Sequence, residues 1–264
     1  MIYLDNGATT RMEEGAFEAM KPYLLEEYGN AMGNHPMAAK ARRAVELARE
    51  QVADLIGARP SEIYFTSGGT ESNNWAIKMI MAGSDPAESH IITSVIEHPS
   101  VRNTCKYLAK LGFQVPEIPV DERGIIDLQA LEQAAKAAAK YQQAAGENSR
   151  ETYRHGVRLL SIMTANNEIG TIQPMDEIEA IAREHGFLLH TDAVQAAGHI
   201  PVDVRERSGI HMLSASGHKF GGPKGIGFLY IRDGVFGRLQ GAPERMQPLL
   251  HGGGQEKELR AGTH

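Results

Sequence analysis

Only one of the 264 residues is a cysteine, Cys105. A single cysteine excludes an internal disulfide framework and a cysteine-rich metal site. The sequence also lacks a long apolar run and, at residues 1–6, the charged-then-apolar pattern of a signal peptide, so we expect no membrane span. No block of basic residues occurs and the net charge is −6, which argues against nucleic acid as a partner. Together these absences predict a cytoplasmic protein.

Short apolar runs alternate with longer amphipathic ones through most of the sequence. This alternation predicts parallel strands joined by helices, and 264 residues suffice for one large domain. We therefore predict an α/β fold of three layers, α/β/α, with a mostly parallel central sheet. Strands are predicted at 62–66, 90–94, 157–163, 187–190, 211–214 and 227–231, and helices at 13–25, 38–56, 70–81, 100–111, 128–141 and 175–185. The polar residues 146–155 are expected to form a surface loop.

Two side chains at the ends of predicted strands indicate the chemistry. Lys219 follows the apolar stretch 211–214 and precedes a glycine-rich turn, and Asp192 follows the stretch 187–190. A lysine in such a position can lose its proton and form an imine with an aldehyde. A carboxylate at the same edge can pair with a protonated pyridine nitrogen. A pyridoxal phosphate enzyme needs both groups, so we predict this cofactor, with Lys219 as a catalytic residue.

A phosphate site is predicted where the third helix begins. Gly69 and Thr70 follow a strand and open a helix, where unpaired backbone N–H groups and the partial positive charge of the helix bind anions. Ser216 and His218 lie close enough to Lys219 in sequence to bind the same phosphate. The alternative is an ordinary loop in which Thr70 is the helix N-cap.

Three further residues follow predicted strands. His98 can stack on a pyridine ring and transfer protons, or it is a surface histidine at a helix start. Asn167 can reach a ring hydroxyl or a substrate carboxylate, or it belongs to a turn. Gln195 lies one helical turn after Asp192 and can bond a phenolic oxygen, whereas Asp192 can alternatively cap a helix. In open α/β sheets ligands bind at the carboxyl ends of the strands, where all of these residues are expected. The histidine spacing predicts no metal site.

With these motifs the sequence resembles the cysteine desulfurases, which are class V aminotransferase-like, fold type I pyridoxal phosphate enzymes. The similarity covers essentially the whole chain. It is carried by residues 3–10, 28–30, 66–73, 97–98, 166–170, 190–195, 214–227, 252–256 and 260–263. The resemblance implies an N-terminal arm at 1–15, the cofactor-binding large domain at 16–250 and, at 251–264, the start of a segment that returns toward a small C-terminal domain.

The resemblance implies roles for the residues around the pyridine ring. Lys219 resembles the Schiff-base lysine, Asp192 the pyridinium partner and His98 the stacking acid/base. Asn167 and Gln195 resemble the contacts to the ring and to its phenolic oxygen.

It also implies a phosphate site shared between two subunits. Gly69, Thr70, Ser216 and His218 resemble the residues that bind the phosphate within one subunit. Thr263 matches a threonine that reaches the phosphate of the neighbouring subunit, which implies a homodimer with active sites at the interface.

The implied reaction converts L-cysteine to L-alanine. The sulfur leaves as a persulfide on a loop cysteine and passes to an iron–sulfur scaffold or a sulfur-carrier protein. Two other functions remain open: a selenocysteine lyase or another class V lyase or aminotransferase, and a non-catalytic desulfurase-like partner subunit. Intact Lys219, Asp192 and His98 argue against a purely structural role.

The sequence departs from the family pattern in three respects. Family members run well beyond Thr263, and the part that follows resembles a small domain with the persulfide cysteine and an arginine for the substrate carboxylate. Cys105 does not match that cysteine, and we expect it to be a buried structural thiol. Residues 31–36 differ from the usual family segment. We expect a truncated or incompletely represented desulfurase, although a separate polypeptide for the remainder or a natural short form would also account for the length.

Overall fold

Seven strands form one sheet in the computed structural model, which describes residues 2–146, 156–235 and 248–263. The strands are β1 (Ile63–Thr66), β2 (His90–Ser94), β3 (Glu117–Ile118), β4 (Arg158–Ser161), β5 (Leu188–Asp192), β6 (Met212–Ser216) and β7 (Gly227–Ile231). The helices are α1 (Glu14–Leu25), α2 (Pro36–Ile56), α3 (Gly69–Met81), α4 (Pro99–Lys110), α5 (Leu128–Gly146), α6 (Met175–Glu184) and the short α7 (Gln255–Glu258).

The direction of the strands explains where a site can form. Across the sheet the order is β3-β2-β4-β5-β6-β7-β1. The strands from β3 to β6 are parallel, whereas β7 is antiparallel to both β6 and β1. All strands except β7 therefore point the same way, and their carboxyl ends meet at one edge. The predicted α/β fold with a mostly parallel sheet is confirmed.

Helices cover both faces of the sheet. Successive strand residues alternate between two buried clusters: Ile91 and Leu159 pack on one side, while Ile92 and Leu160 pack on the other. The first cluster includes Trp75, and helices α3 and α4 supply much of it; the second includes residues of α2, α5 and α6. A sheet buried on both faces needs nearly continuous apolar strands, which is why these runs stand out in the sequence.

Most predicted elements match the structure to within a few residues. The short strand β3 was not predicted, because two residues are too few to show a period. Helix α5 continues to Gly146, five residues beyond its predicted end at 141. The predicted loop at 146–155 lies outside the described residues, apart from Gly146 itself. Cys105 is fully buried in the core, as expected. Within the described ranges, no helix combines the length and apolar character that crossing a membrane requires.

Candidate active site

A cavity of about 460 Å³ opens at the carboxyl edge of the sheet. Nine of the ten residues singled out from the sequence line it, and only Thr263 does not. The nine are Gly69, Thr70, His98, Asn167, Asp192, Gln195, Ser216, His218 and Lys219. They come from the ends of β1, β2, β4, β5 and β6, so the topology of the sheet alone brings them together.

Lys219 ends a single 3₁₀ turn, Gly217–Lys219, that directly follows β6. Its Nζ donates hydrogen bonds to the backbone carbonyls of Gly7 and Ala8, at 2.9 Å for Ala8. Burial lowers the pKa of the Lys219 amine, and the nearby Asp192 carboxylate opposes that shift. A lowered pKa increases the neutral fraction of the amine, which is the nucleophilic form.

Asp192 is the last residue of β5 and is only 4% exposed. Its Oδ1 accepts from the backbone N–H of Val194 at 2.9 Å, and its Oδ2 accepts from the side-chain amide of Asn73 at 2.7 Å. Burial raises the pKa of the Asp192 carboxyl above its ordinary value, against the effect of these two bonds. A buried carboxylate facing a cavity is stabilised by a cationic ligand.

The turn before α3 has the backbone shape of an anion cradle. Gly68 adopts φ 149°, and a Cβ on Gly69 would lie 2.5 Å from Cγ2 of Val194. Only glycine therefore fits at Gly69 without displacing its neighbour. A second opening of about 370 Å³ next to this turn shares Gly69, Thr70, Ser216 and His218 with the main cavity. Backbone N–H groups at a helix start, a hydroxyl and an imidazole suit a phosphate.

An ion pair supports the cradle from behind. The Glu71 carboxylate accepts from the backbone N–H of Ser67 at 2.8 Å and from Arg260 at 2.9 and 3.1 Å. Burial acts to raise the pKa of Glu71, but the interactions with Arg260 and Ser67 together outweigh burial, and the net shift is downward. Arg260 belongs to the segment 248–263, which thus braces the turn without entering the cavity.

His98 is the N-cap of α4 and also lines the cavity, so both alternatives drawn from the sequence describe part of its position. Its Nδ1 lies 2.7 Å from Oγ of Ser100 and accepts from the Ser100 backbone N–H at 3.1 Å. The capping interaction fixes the imidazole at the wall of the cavity.

The N-terminal arm was predicted only as a segment, yet it takes part in the site. The Gln195 side chain donates to the backbone carbonyl of Gly7 at 2.8 Å, beside the bond from Lys219. Thr10 donates to the backbone carbonyl of His218 at 2.9 Å through both its N–H and its hydroxyl. Asn167 bonds the neighbouring Glu168 at 2.6 Å. Gln195 and Asn167 thus line the cavity but have protein partners here.

Two buried residues at or next to the site belong to the sequence motifs but were given no role from the sequence. Asn73 lies one turn beyond Gly69 on α3 and contacts Asp192, and this (i, i+4) spacing was the available signal. Glu97 precedes His98 and is 4% exposed. Its Oε1 accepts from the Ser94 hydroxyl at 2.6 Å and the Met163 N–H at 2.9 Å, and burial raises the pKa of this carboxyl to about 8. Glu97 thereby ties the loop that carries His98 to the end of β4.

Thr263 is exposed and lies at the end of the segment 248–263. The segment is anchored by a buried ion pair, in which Arg49 donates to both Glu256 oxygens at 2.8 and 2.7 Å. The role that the resemblance implies for Thr263, in a neighbouring subunit, stays a prediction.

These residues fit a phosphorylated pyridine aldehyde. An amine with a lowered pKa can bond the aldehyde carbon, and a buried carboxyl at the same cavity can pair with the ring nitrogen. The glycine turn, which lines the same cavity, can hold a phosphate. The three functions are distinct, and the candidate residues for each line the same cavity.

Comparison with known proteins identifies a family and several relatives. The family model for class-V aminotransferases matches residues 2–263. Cysteine desulfurase IscS of Methanosarcina thermophila is 47% identical over 262 residues, which cover 99% of this chain and 58% of that protein. The mitochondrial cysteine desulfurase of Arabidopsis thaliana is 43% identical over 263 residues, covering 99% and 52%.

Solved structures are similar as well. A NifS-like protein superposes with a TM-score of 0.86 at 41% identity, covering 100% of this chain and 65% of that one. A structure described as SspA in complex with cysteine gives a TM-score of 0.83 at 40% identity, covering 100% and 69%. The chain spans little more than half the length of the two desulfurases from Methanosarcina thermophila and Arabidopsis thaliana, 58% and 52% respectively.

Proposed function

Because the chain belongs to the class-V aminotransferase family, we propose that it binds pyridoxal phosphate and acts in a cysteine desulfurase. The observation that carries the proposal is that Lys219 and Asp192 open onto one cavity that ends at the glycine turn. Relatives named cysteine desulfurase, at 43–47% identity over nearly the whole chain, support the same reaction class.

The residues would share the binding of the cofactor. Lys219 Nζ would bond the aldehyde carbon, and Asp192 would keep the ring nitrogen protonated. Gly69, Thr70, Ser216 and His218 would hold the phosphate. When bound, pyridoxal phosphate supplies an electron sink that stabilises negative charge on the substrate α-carbon. Asp192 strengthens that effect because a carboxylate held in a low-dielectric site favours a cationic ring.

The chain's own groups determine proton placement around that site. Lys219 must release its hydrogen bonds to Gly7 and Ala8 before its amine can react, and its lowered pKa favours the neutral form. His98 lies at the cavity wall, where its imidazole can exchange protons with a ligand. Gln195 and Asn167 can turn from their present partners, Gly7 and Glu168, toward ring substituents or a substrate carboxylate.

The proposed substrate is L-cysteine and the proposed carbon product is L-alanine. Sulfur transfer through a persulfide needs a reactive thiolate, and Cys105 is the sole cysteine. It is fully buried, and burial raises the pKa of its thiol to about 12. We propose that this chain by itself does not transfer sulfur through a persulfide. Formation of alanine and sulfide at rates typical of the family would contradict this part.

The finer assignments follow from the same membership. We propose a cytoplasmic homodimer in which Thr263 completes the partner's phosphate site, with an iron–sulfur scaffold or sulfur-carrier protein as sulfur acceptor. The proposed division is the arm 1–15, the large domain 16–250 and the returning segment 251–264. Light scattering on the purified chain tests the dimer: a mass of one chain, 28.8 kDa, would contradict it.

The test of cofactor binding is a titration of the purified chain with pyridoxal phosphate. We expect a new near-ultraviolet to visible absorbance band and, after borohydride reduction and proteolysis, a modified peptide that contains Lys219. Lys219→Ala should lose both signals. The matched control is Lys110→Ala, since Lys110 is an exposed lysine at the end of α4 opposite to the end that carries His98. Equal labelling of Lys219→Ala and the parent chain would refute the proposal.

A further inference from the structure

Four side chains form a continuous hydrogen-bonded chain along one wall of the cavity. The Asn73 Nδ2 group donates to Asp192 Oδ2 at 2.7 Å and to Ser100 Oγ at 2.9 Å. Ser100 Oγ in turn lies 2.7 Å from Nδ1 of His98. Asn73 is 1% exposed and Ser100 is 8% exposed. Two buried polar residues, from α3 and α4, thus connect the two predicted ring contacts, Asp192 and His98.

The direction of each bond follows from the chemistry of the groups. An ionised carboxylate only accepts, so the Asn73 side chain must turn its NH₂ group toward Asp192. The same NH₂ group also donates to Ser100 Oγ, which is therefore an acceptor on that side. The hydroxyl proton of Ser100 is then directed to the remaining neighbour, Nδ1 of His98.

A second donor independently meets the same nitrogen. The backbone N–H of Ser100 points to His98 Nδ1 at 3.1 Å. A peptide N–H cannot reverse its role, so this contact also favours a lone pair and no proton on Nδ1, and its effect adds to that of the Ser100 hydroxyl. In a neutral imidazole the proton is then on Nε2.

We propose that Asn73 and Ser100 are positioning residues that hold His98 in the Nε2–H tautomer and couple its orientation to that of Asp192. The consequence for a bound ligand rests on the proposed function. In the resting protein, His98 Nε2 is the nitrogen available to a ligand in the cavity, and it is a proton donor, not an acceptor. The tautomer itself belongs to the cofactor-free protein and can be measured there.

An ordinary helix cap does not account for this arrangement. Capping requires only the bond from the Ser100 N–H to the imidazole. One turn after Ser100 on α4, the Thr104 hydroxyl donates to the side chain of Asn74, the residue that follows Asn73, at 2.9 Å and to the Ser100 backbone carbonyl at 2.8 Å. This second hydroxyl–amide pair does not contact His98. The Thr104–Asn74 pair therefore offers a matched control for the loss of a hydroxyl at the α3–α4 interface.

The experiment is nuclear magnetic resonance on the cofactor-free chain labelled with ¹⁵N-histidine. Long-range ¹H–¹⁵N correlations distinguish the Nε2–H, Nδ1–H and charged forms of each imidazole, and His98→Gln assigns the His98 signals. The parent chain is expected to show His98 as Nε2–H near neutral pH. Ser100→Ala should raise the ratio of Nδ1–H to Nε2–H about fivefold, the effect of one lost hydrogen bond.

Two control variants separate the loss of the Ser100 hydroxyl from a general disturbance of the α3–α4 interface. Ser100→Thr keeps a hydroxyl and should restore the parent pattern, and Thr104→Val should leave the His98 signals unchanged. Predominance of Nδ1–H in the parent chain would overturn the proposal, and so would an unaltered ratio in Ser100→Ala. If Ser100→Ala does not fold, the parent spectrum still decides the tautomer.

The experiment distinguishes failure of the proposed function from failure of the tautomer assignment. Titrating the same labelled sample with pyridoxal phosphate tests cofactor binding separately from the tautomer. If no absorbance band forms while His98 is Nε2–H, the proposed function fails and the tautomer assignment stands. If the band forms and His98 is Nδ1–H, the assignment fails and the proposed function stands.

Discussion

The buried ion pair between Arg49 and Glu256 gives the most quantitative prediction. The side chain of Glu256 is 1% exposed, and the side chain of Arg49 is 9% exposed. The carboxylate accepts two bonds from Arg49, at 2.7 and 2.8 Å, and one from the backbone N–H of Phe65 at 2.8 Å. Burial acts to lower the pKa of Arg49, but the interactions with Glu256 and Glu46 together outweigh burial and raise this pKa overall.

Glu256→Ala removes the bonds to Arg49 and Phe65 and leaves the guanidinium without its buried counter-charge. Removing one partner of a buried pair costs about 3–5 kcal/mol of unfolding free energy, because the remaining charge stays desolvated. Glu256→Gln keeps an acceptor for Phe65 and should cost less. Replacing both partners, as in Arg49→Met with Glu256→Met, should be less harmful than the sum of the single changes, since no buried charge remains.

The assay is urea unfolding followed by the fluorescence of Trp75, the single tryptophan, which is fully buried. We expect a lower midpoint with an unchanged slope. The control is Arg205→Met, because Arg205 forms an exposed pair with Asp203 and its loss should leave the midpoint unchanged. A loss of less than about 1 kcal/mol in Glu256→Ala would show that the ion pair does not anchor the segment 248–263.

Three shorter predictions concern the site and the core. Gly69→Ala should weaken binding of pyridoxal phosphate and destabilise the fold by about 1–3 kcal/mol, because its Cβ would lie 2.5 Å from the Val194 side chain. The control is Gly15→Ala, at an open helix position, which should be neutral or stabilising. Similar results for the two variants would contradict this prediction. Arg260→Met should raise the dissociation constant of pyridoxal phosphate about tenfold, because Glu71 loses the partner that helps it hold the cradle; an unchanged constant would separate the ion pair from the site. Cys105 should react with a disulfide reagent only after unfolding, since it is buried and burial raises its thiol pKa to about 12; rapid labelling of the native chain would disprove this.

The sequence predicts well which residues lie at the carboxyl edge of the sheet, but it predicts poorly which hydrogen bonds those residues form. An apolar run such as 227–231 indicates a buried strand directly, and a residue after such a run lies at a known edge once the strands are parallel. Local pattern and strand direction are therefore sufficient to predict that Gly69, Asp192 and Lys219 lie at one edge, and the cavity they share confirms it.

Hydrogen-bond partners from distant parts of the chain could not be inferred in the same way. Lys219 bonds the carbonyl of Gly7, 212 residues away, and no periodicity relates the two positions. Every residue has a backbone carbonyl, so the sequence does not show which carbonyl accepts a bond. The motif at residues 3–10 was therefore recognised, but its contacts with Lys219 and Gln195 were not predicted. Asn73 had a usable signal, because its helical spacing from Gly69 places it on the same face of α3. The contact between Arg260 and Glu71 likewise depends on the path of the segment 248–263.

The opposite shifts of Lys219 and Asp192 lead to a prediction about pH. Burial lowers the pKa of the Lys219 amine and raises that of the Asp192 carboxyl, so the site favours less charge on both. Covalent capture of an aldehyde needs the neutral amine, which is scarce below its pKa and abundant above it. The rate of capture should therefore rise with pH with a midpoint below about 10.4, the ordinary value for lysine. Because the Asp192 charge opposes the lowering, Asp192→Asn should move the midpoint to still lower pH. Stopped-flow absorbance with pyridoxal phosphate measures both midpoints; a parent midpoint at the ordinary lysine value, or a shift to higher pH in Asp192→Asn, would refute the electrostatic account of the site.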